Sequence, residues 1–386
     1  MEKTKHTKYF SRCLFLLPAQ ATSYDGNRLS IVYFCLSGLD LLGTLDQFIK
    51  TDEQRKEYIE WIYKQVVESG EGFRGSPTFK LCGHEHSESR EGDNKYDPAN
   101  LAATFFGLAC LGILGDREIW TRLSRDKILS YVASCQRDDG SFGSFCIDGK
   151  VAPDYDMRYC YLATGIRRLA RDTSERLSSS RDINIPAMVG HIKNTESFQG
   201  GIGQGQTGNV TEPHSGLTYC GLSALKNAGQ LNNKEWGTTL EWLVGRQCDE
   251  RTSETQVSES SKRDDNDSSE EEQGDPQTGG FNGRVGKLAD TCYSFWVGAS
   301  LASLGGTNYV SADLAREYLL NNTQNTLLGG FGKTPGEIPD PLHSYLGVCA
   351  LSIFGQPGLG KVVPELCISE KAFETLTGGD STSVAV

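Results

Sequence analysis

The sequence lacks any apolar stretch approaching the roughly 20 residues that a membrane-spanning helix needs. Its N-terminal apolar run, residues 14–17, is too short for the hydrophobic region of a signal peptide. Basic residues are in deficit, since 38 Lys and Arg face 50 Asp and Glu and the net charge is -12. This balance argues against a general affinity for nucleic acid or anionic membrane surfaces. We therefore expect a cytoplasmic protein with no membrane span and no nucleic-acid partner.

The cysteine spacing does not support a disulfide scaffold. The 12 cysteines are spread along a long chain without paired intervals. Several lie in apolar runs, where a free thiol behaves as a small hydrophobic side chain; these are Cys110, Cys160, Cys220 and Cys349. The pattern predicts reduced cysteines, which agrees with a cytoplasmic location.

Large apolar residues are almost missing from the segment 249–278. It contains eleven acidic and three basic residues, and Val257 is its only large aliphatic side chain. Such a composition cannot bury enough surface to order the chain. We expect a disordered acidic insertion here, and a flexible C-terminal tail, within a single domain covering residues 1–386.

Alternating runs of Val, Ile or Thr, which would indicate β-strands, are also absent. One pattern recurs in their place: a glycine-rich turn, a polar stretch and then a helix rich in small and apolar residues. The repeats begin near Gly72, Gly140, Gly200, Gly279 and Gly329, at intervals of 68, 60, 79 and 50 residues. The longest interval contains the acidic insertion.

A second set of amphipathic segments lies between the glycine turns and begins at Asp126, Thr239 and Ala315. Each repeat is therefore predicted to be a pair of helices, so the fold class is all-α. The helix pairs can pack in an open solenoid or in a closed ring of inner helices surrounded by outer ones. A closed ring buries the small-residue faces better, but periodicity alone does not choose between these arrangements.

Asp290, Cys292 and His343 stand near the starts of the last two repeat helices. They supply one oxygen, one sulfur and one nitrogen, which are ligand types that zinc accepts in a catalytic site with an open fourth position. Residues i and i+2 point about 200° apart on a regular helix. Asp290 and Cys292 can therefore share a metal only if Asp290 lies at the helix start, where Asp is a favoured N-cap. The alternative is a capping Asp, a buried Cys and a surface His.

Two other polar clusters compete as cation sites. Cys82, His84 and His86 alternate in a polar loop without a helix or a distant fourth ligand. The acidic run 270–272 is more typical of a solvated charged segment than of a binding site. Both are weaker candidates than the Asp, Cys and His set.

Cationic and hydroxyl donors gather around the same repeats in an otherwise acidic chain, and such a cluster suits an anion. Its members are His214, Arg284, Lys287, Tyr293 and Lys333. The repeat helices also carry aromatic residues that could line an apolar cavity or form ordinary core; these are Tyr33, Phe34, Phe105, Phe106, Phe295 and Trp296. A diphosphate with an isoprenoid tail would use both features.

The segments DTCYSFW from Asp290 and PDPLHSY from Pro339 resemble the zinc-ligand motifs of protein prenyltransferase β subunits. The resemblance covers nearly the whole chain. It implies an α/α barrel of six inner and six outer helices, and a heterodimer with a prenyltransferase α subunit. It also implies one zinc ion per β subunit, held by Asp290, Cys292 and His343, with the acceptor cysteine as a thiolate in the open position.

The same resemblance implies further roles. His214, Arg284, Lys287 and Tyr293 match diphosphate-binding positions, while Trp296 and Arg158 match positions beside the isoprenoid and the acceptor peptide. Lys333 falls where the farnesyl enzymes have an Asp that helps to bind magnesium. A lysine there can supply positive charge to the diphosphate, so magnesium is expected to be dispensable.

The N-terminal segments KYFSRCLFLLP and RLSIVYFCLSGLDLLGTLD resemble the geranylgeranyl (type I) branch. Ser30 falls where the farnesyl enzymes carry a bulky Trp, so it leaves room for a fourth isoprene unit. Phe34 and Leu342 match peptide-pocket positions, consistent with CaaX boxes ending in Leu or Phe. The resemblance implies transfer of geranylgeranyl from its diphosphate to CaaX proteins such as Rho-, Rac- and Rap-type small GTPases.

Several alternatives stay open from the sequence. A farnesyltransferase β subunit shares the motifs, and the Rab-directed enzyme shares the zinc ligands. A noncatalytic helical-repeat scaffold that binds peptides would use the polar residues only as helix caps. A terpene cyclase would share the barrel and the aromatic cavity, but nothing in the sequence resembles its acidic initiator.

Overall fold

The computed structural model describes residues 1–17, 19–77, 98–171, 182–205, 210–249 and 277–378. Most of the acidic insertion 249–278 and the C-terminal tail from residue 379 lie outside the described residues. The cluster of Cys82, His84 and His86 lies outside them too. What the sequence predicts for these parts therefore stays a prediction.

The described chain is built almost entirely of helices. The first half contains α1 (Lys3–Phe15), a 3-10 helix (Ala19–Asn27), α2 (Arg28–Leu41), α3 (Leu45–Phe48), α4 (Asp52–Tyr63), α5 (Leu101–Ile113), α6 (Ile119–Arg122), α7 (Arg125–Ser134) and α8 (Met157–Ala170). The second half contains α9 (Ile185–Asn194), α10 (Ser215–Asn227), a 3-10 helix (Asn233–Glu235), α11 (Gly237–Val244), α12 (Thr291–Leu304), a 3-10 helix (Thr307–Tyr309), α13 (Ala312–Glu317), a π-helix (Tyr318–Thr323), α14 (Pro341–Ile353) and α15 (Glu370–Thr377).

Two small antiparallel hairpins are structure that the sequence did not indicate. They join β1 (Cys146–Ile147) to β2 (Lys150–Val151) and β3 (Val362–Val363) to β4 (Ile368–Ser369). In the second hairpin Val362 pairs with Ser369. Each strand has two residues, too short for the alternation that marks a strand in a sequence.

The repeat helices α2, α5, α8, α10, α12 and α14 form a closed inner ring. Each packs against the next one along the chain, and α14 packs against α2. One outer helix precedes each of them in the described chain; these are α1, α4, α7, α9, α11 and α13. This arrangement confirms the α/α barrel and chooses the closed ring over the open solenoid.

Small residues let the inner helices approach their neighbours closely. A side chain at Gly107 on α5 would place its Cβ 2.7 Å from the ring of Phe73. A Cβ at Gly165 on α8 would lie 2.8 Å from the ring of Phe105 on the adjacent inner helix. The glycines of these helices are therefore required by packing, although glycine weakens an isolated helix.

The glycine turns dock onto the outer helices of the following repeats. Gly279 has a φ of +83°, and a Cβ there would lie 2.3 Å from the carbonyl oxygen of Leu314 on α13. Gly329 has a φ of +77°, and a Cβ there would lie 2.2 Å from the carbonyl oxygen of Lys5 on α1. The second contact joins the last turn to the first helix and so helps to close the ring.

His6 on α1 fastens the same junction. It is fully buried, and its Nδ1 accepts a hydrogen bond of 2.8 Å from the backbone N–H of Gly330. Its Nε2 therefore carries the proton and donates to the Gln324 side-chain oxygen at 2.9 Å. The imidazole also stacks on Phe331, with ring centroids 4.8 Å apart. The first helix is thus held by the last repeat.

The C-terminal segment closes one end of the barrel. The hairpin β3–β4 leads into α15, and Asn227 at the C-terminal end of α10 donates to the carbonyl oxygen of Glu365. The hydroxyl groups of Tyr33, Tyr219 and Tyr345 donate to backbone carbonyl oxygens of the same segment. The opposite end, where the inner helices begin, stays available for a site.

Candidate functional site

Polar residues cap the inner helices at their N-termini, where the repeats differ most in sequence. Asp290 is the N-cap of α12, with extended backbone at φ -144° and ψ 139°. Its carboxylate accepts a hydrogen bond of 2.8 Å from the backbone N–H of Cys292. Because Asp290 has extended backbone and precedes the helix, the angle of about 200° between positions i and i+2 of a helix does not apply to Asp290 and Cys292. The prediction that Asp290 lies at the helix start is confirmed.

The three candidate metal ligands come together across two adjacent inner helices. His343, at the third position of α14, places its Nε2 3.4 Å from an oxygen of Asp290. One ligand atom from each of Asp290, Cys292 and His343 lies within 4.8 Å of the other two. Asp290 and Cys292 are buried, and His343 is half-buried. Among the described residues, this is the group of three or more such side chains that could hold a metal ion.

Asp340 orients the imidazole of His343. It is the N-cap of α14, where Pro341 takes the first helical position. One oxygen of Asp340 accepts from the backbone N–H of His343 at 3.0 Å, and the other lies 2.5 Å from His343 Nδ1. Nδ1 therefore carries a proton and donates a hydrogen bond to the carboxylate. Nε2 is the ring nitrogen that faces Asp290 and would hold a metal ion in place of its proton. This is the arrangement that metal-binding histidines commonly use.

The electrostatics of the group favour a cation at its centre. Burial, reinforced by the Asp290 carboxylate, raises the pKa of the Cys292 thiol. Burial would also raise the pKa of Asp290, but hydrogen bonds from His343 and Cys292 outweigh it and lower that pKa. Burial opposes charge on His343, yet its bonds with Asp290 and Asp340 raise its pKa to about 9. The oxygen, sulfur and nitrogen donors and their negative field fit a divalent metal ion.

A cluster of donors lies beside the metal-ligand group, at the start of α10. His214 is the N-cap of α10, and its Nδ1 accepts from the backbone N–H of Gly216 at 3.0 Å. Its Nε2 therefore carries the proton and donates to the Tyr293 hydroxyl at 3.1 Å. The hydroxyl proton of Tyr293 is then left to donate elsewhere. Burial and the charge of Arg284 lower the pKa of His214, so the imidazole is neutral near pH 7.

The cations of the predicted anion cluster occupy different positions. Arg284 lies close enough to His214 to depress its pKa, and its guanidinium is 3.0 Å from a Glu212 oxygen. The carbonyl oxygen of Lys333 accepts from the backbone N–H of Thr291, and the Lys333 charge acts on the Cys292 thiol. Lys287 is exposed in the turn that leads to α12. Lys333 thus lies near the metal-ligand group and Arg284 near the donor cluster, while the position of Lys287 is an exposed turn.

A large cavity opens next to the metal-ligand group. Its volume is about 1290 Å³, and Ser30, Phe34, Leu342 and His343 all line it. Phe106, a further predicted cavity residue, lines it as well. Ser30 turns its hydroxyl to the carbonyl oxygen of Asn27 at 2.7 Å. The predicted peptide and tail positions therefore share one chamber with a metal-ligand side chain.

Trp296 and Arg158 lie on the His214 side of the site. The Trp296 ring packs against the Tyr293 ring, with centroids 5.3 Å apart. Arg158 is exposed at the start of α8, where it pairs with Asp156 at 2.7 Å. These two residues are therefore neighbours of the donor cluster.

Some of the aromatic residues that could line a cavity or form core belong to the core. Each inner helix contributes one buried ring to a belt across the barrel; the rings are Tyr33, Phe105, Tyr161, Tyr219, Phe295 and Tyr345. Around the ring of inner helices, from α14 to α2 and on to α12, the centroids of neighbouring rings lie 5.2 to 6.3 Å apart. Of the two roles that the sequence left open, Tyr33, Phe105 and Phe295 therefore have that of ordinary core.

Comparison with known proteins bears on the identity of the site. Residues 1–368 match the prenyltransferase alpha-alpha toroid domain. The chain is 30% identical over 382 residues to the geranylgeranyl transferase type-1 subunit beta of Arabidopsis thaliana, covering 95% of this chain and 88% of that protein. It is also 30% identical over 394 residues to the same subunit of Dictyostelium discoideum, covering 96% of each chain. The chain belongs to the geranylgeranyl transferase type-1 β-subunit family.

A solved structure and a more distant relative bear on this family. The Candida albicans protein geranylgeranyltransferase-I complexed with GGPP aligns with a TM-score of 0.81 and 31% identity, covering 98% of both chains. The farnesyltransferase subunit beta of Schizosaccharomyces pombe is more distant, at 24% identity over 359 residues, covering 90% of this chain and 77% of that protein. The farnesyl alternative and the noncatalytic scaffold are therefore not favoured. None of the described helices has both the length and the apolar character needed to cross a bilayer.

Two carboxylates in this family member were missed as functional candidates. The sequence alone predicted no role for Asp340, although an Asp three residues before a His at a helix N-terminus is a usable signal. Glu212 received no role either, since it meets Arg284 across 72 residues of sequence. Only the tertiary structure reveals that second pair.

Proposed function

We propose that this chain is the β subunit of a zinc-dependent protein geranylgeranyltransferase type I that works with a prenyltransferase α subunit. The observation that carries the proposal is the convergence of Asp290, Cys292 and His343, the last of which lines a cavity of about 1290 Å³. The two type-1 relatives and the geranylgeranyltransferase-I structure support the same assignment. We further propose a cytoplasmic enzyme whose residues 1–386 form one domain interrupted by the acidic segment 249–278.

In this proposal the donor is geranylgeranyl diphosphate and the acceptor is the cysteine thiol of a C-terminal CaaX box ending in Leu or Phe. Suitable acceptors are small GTPases of the Rho, Rac and Rap types. A new bond forms between the thiol sulfur and C1 of the donor, while the bond between C1 and the diphosphate oxygen breaks. Pyrophosphate leaves with the bonding electrons, and the thiol proton goes to solvent. A bound zinc ion would lower the pKa of the acceptor thiol.

The donor cluster supports a leaving-group role. Tyr293 can donate its hydroxyl proton because His214 already donates to its oxygen. Arg284, Lys287 and Lys333 add positive charge near the pyrophosphate, which stabilises charge that develops as the bond breaks. Because the Lys333 ammonium can take the place of a metal cation on the diphosphate, magnesium is proposed to be dispensable.

The apolar side of the cavity supports recognition of the tail and the peptide. Ser30 is a small, half-buried residue on the wall and leaves volume for a longer donor. Phe34 and Leu342 present apolar surface in the same chamber and suit an apolar CaaX terminus. Trp296 and Arg158, on the His214 side, are proposed to contact the isoprenoid near its diphosphate end.

The test is a transfer assay on the purified heterodimer, with zinc removed and then restored. Geranylgeranyl and farnesyl diphosphates are compared against peptides ending in Leu and in Met. We expect the highest kcat/KM with geranylgeranyl diphosphate and the Leu peptide, and a loss of transfer without zinc. Cys292→Ser and His343→Ala should lose bound zinc and activity together, while Cys146→Ser, a partly exposed cysteine in β1, should retain both. Full activity in zinc-free protein would refute the proposal.

A further inference from the structure

Glu212 forms an ion pair with Arg284, whose guanidinium the proposed diphosphate site needs to bind its anion. Arg284 Nη1 lies 3.0 Å from Glu212 Oε2, in a hydrogen-bonded ion pair. His214 is neutral near pH 7 because burial and the Arg284 charge lower its pKa. Without a bound anion, the charge of Arg284 is therefore already compensated by a carboxylate of the same chain.

The backbone holds this pair together. Glu212 stands two residues before His214, the N-cap of α10, and Arg284 follows Gly283 in the turn before α12. The backbone N–H of Ser215 donates to the carbonyl oxygen of Gly283 at 2.9 Å, which fixes the two loops side by side. The Tyr293 ring packs directly against Gly283, where a Cβ would lie 2.1 Å from the ring. The approach of Glu212 to Arg284 is thus set by the packing of two repeats.

A diphosphate can readily replace the Glu212 carboxylate as the partner of Arg284. The side chains of Arg284 and Glu212 are 40% and 61% exposed. Water screens such an ion pair, and its contribution to stability is small. A diphosphate offers more negative charge and several oxygens to one guanidinium, so it competes well against a single carboxylate.

Asp156 makes a useful contrast, since it pairs with Arg158 in the same region at 2.7 Å. Asp156 is the N-cap of α8 and also accepts from the backbone N–H of Arg158. Its carboxylate is therefore part of the helix start. Glu212 lies outside α10, so its carboxylate can move away without uncapping the helix.

We propose that Glu212 is a built-in competitor of the diphosphate: it holds Arg284 in the donor-free protein and takes it back when pyrophosphate leaves. This inference rests on the proposed function, because it assumes that Arg284 contacts the diphosphate. Glu212 is a positioning residue and touches no reacting atom. Its effect is to weaken the binding of diphosphate and to speed the release of pyrophosphate.

The test measures the dissociation constant of inorganic pyrophosphate for the heterodimer, by calorimetry or by competition with the donor. Glu212→Gln keeps the shape of the side chain and removes its charge. We expect this variant to bind pyrophosphate about two- to fivefold more tightly, as the loss of one exposed ion pair allows. Pyrophosphate should also dissociate more slowly from it. Glu241→Gln, an equal charge change on the exposed side of α11, should bind like the native protein.

The same substitution in a protein that lacks Arg284 separates two effects of Glu212: its ion pair with Arg284 and the repulsion between its negative charge and pyrophosphate. In Arg284→Gln protein, the further change Glu212→Gln should have a clearly smaller effect on the pyrophosphate constant. An equal effect in both backgrounds, or no effect of Glu212→Gln on native Arg284, would overturn the inference while leaving the proposed function intact. If the native heterodimer binds neither pyrophosphate nor geranylgeranyl diphosphate, the proposed function itself fails, and this inference fails with it.

Discussion

At the scale of single residues, the site depends on side chains that orient other side chains. Asp340 accepts from both the backbone and the Nδ1 of His343, which points the remaining nitrogen toward Asp290 and Cys292. His214 uses one nitrogen to cap α10 and the other to donate to Tyr293. In both cases a helix N-cap also sets which ring nitrogen faces the site, so the start of the helix and the chemistry of the site are coupled.

Asp340→Asn tests this coupling. Asn is as good an N-cap as Asp, so α14 is expected to form, but the negative partner of His343 Nδ1–H is lost. Loss of such a partner typically weakens metal binding about 10- to 100-fold. The measurement is the zinc dissociation constant from competition with a chelator, and Asp313→Asn, an exposed change on α13, serves as the control. Unchanged zinc affinity in Asp340→Asn would rule out the orienting role.

Ser30→Trp tests the length of the donor chamber. An indole on the cavity wall removes volume that the last isoprene unit would need. Overpacking of this kind costs about 1–3 kcal/mol, so the ratio of kcat/KM for geranylgeranyl over farnesyl diphosphate should fall by about 5- to 150-fold. Ser30→Ala, which adds no volume, should keep the native ratio. A Ser30→Trp protein with the native preference would show that another residue sets donor length.

Lys333→Asp tests the role of magnesium. The native enzyme should transfer at the same rate with and without magnesium, because the lysine supplies the positive charge. With an aspartate at this position, the rate without magnesium should fall and addition of the ion should restore much of it. Transfer rates measured across a magnesium titration test this prediction. Lys287→Asp, the same charge change at another exposed lysine, is the comparison. Strong magnesium dependence of the native enzyme would contradict the proposal.

At the scale of helices and turns, glycine turns connect one repeat to the outer helix of the next. Gly329 needs both a positive φ and a missing Cβ, because the Lys5 carbonyl oxygen of α1 occupies the space beside it. Gly336 has a similar φ of +82°, yet a Cβ there would meet nothing within 4 Å. A side chain at Gly336 would therefore cost only the strain of a positive φ, whereas one at Gly329 would cost that strain and a steric clash.

Gly329→Ala should therefore destabilise the protein more than Gly336→Ala does. A positive φ costs an alanine roughly 1–2 kcal/mol at either position. At Gly329 the clash with α1 adds about 1–3 kcal/mol more. Thermal unfolding of the two variants beside the native protein measures the difference. Equal destabilisation would mean that α1 moves aside without loss and that the contact does not help to close the ring.

At the scale of the whole molecule, the barrel closes by contacts between the first helix and the last repeat. His6 and Gly330 are 324 positions apart and share a hydrogen bond in the buried junction of α1 with the last repeat. Burial lowers the pKa of His6, and the nearby N-terminal amino group acts in the same direction, while Gln324 and Glu2 oppose it. The closure therefore requires a neutral imidazole.

This requirement predicts a loss of stability in acid. The unfolded chain takes up the proton near pH 6.5, whereas the folded protein resists it until the pH falls further. The contribution of His6 is thus fully present above pH 6.5 and is lost as the pH falls below that value. His6→Asn, which keeps an acceptor but does not titrate, should be less stable at pH 7.5 and show a shallower fall in unfolding temperature down to pH 5.5.

A parallel measurement on His191→Asn checks that the effect belongs to the junction. His191 is also buried with a lowered pKa, but it lies on α9. Each substitution should remove its own share of the pH dependence. If His6→Asn leaves the pH profile of the native protein unchanged, the junction does not depend on the charge of His6.

Much of the architecture follows from local rules that a sequence contains. The recurring glycine turn and small-residue helix predict helix pairs. The angle between positions i and i+2 on a helix requires Asp290 to lie at the helix start if it shares a metal with Cys292. The metal-ligand candidates could be named because the segments DTCYSFW and PDPLHSY resemble the zinc-ligand motifs of a known family. Short two-residue strands and the change from α13 to a π-helix at Tyr318 have no comparable signal.

The sequence by itself determined the helix pairs, the polar helix starts and the identity of the metal-ligand candidates, because each depends on neighbours a few residues away. Only the tertiary structure decided that the ring closes through His6 and Gly329, and that Tyr33, Phe105 and Phe295 belong to a buried belt. It also decided that Glu212 meets Arg284. These features depend on how small rotations add up over six helix pairs, which brings distant residues together without any local pattern to mark them.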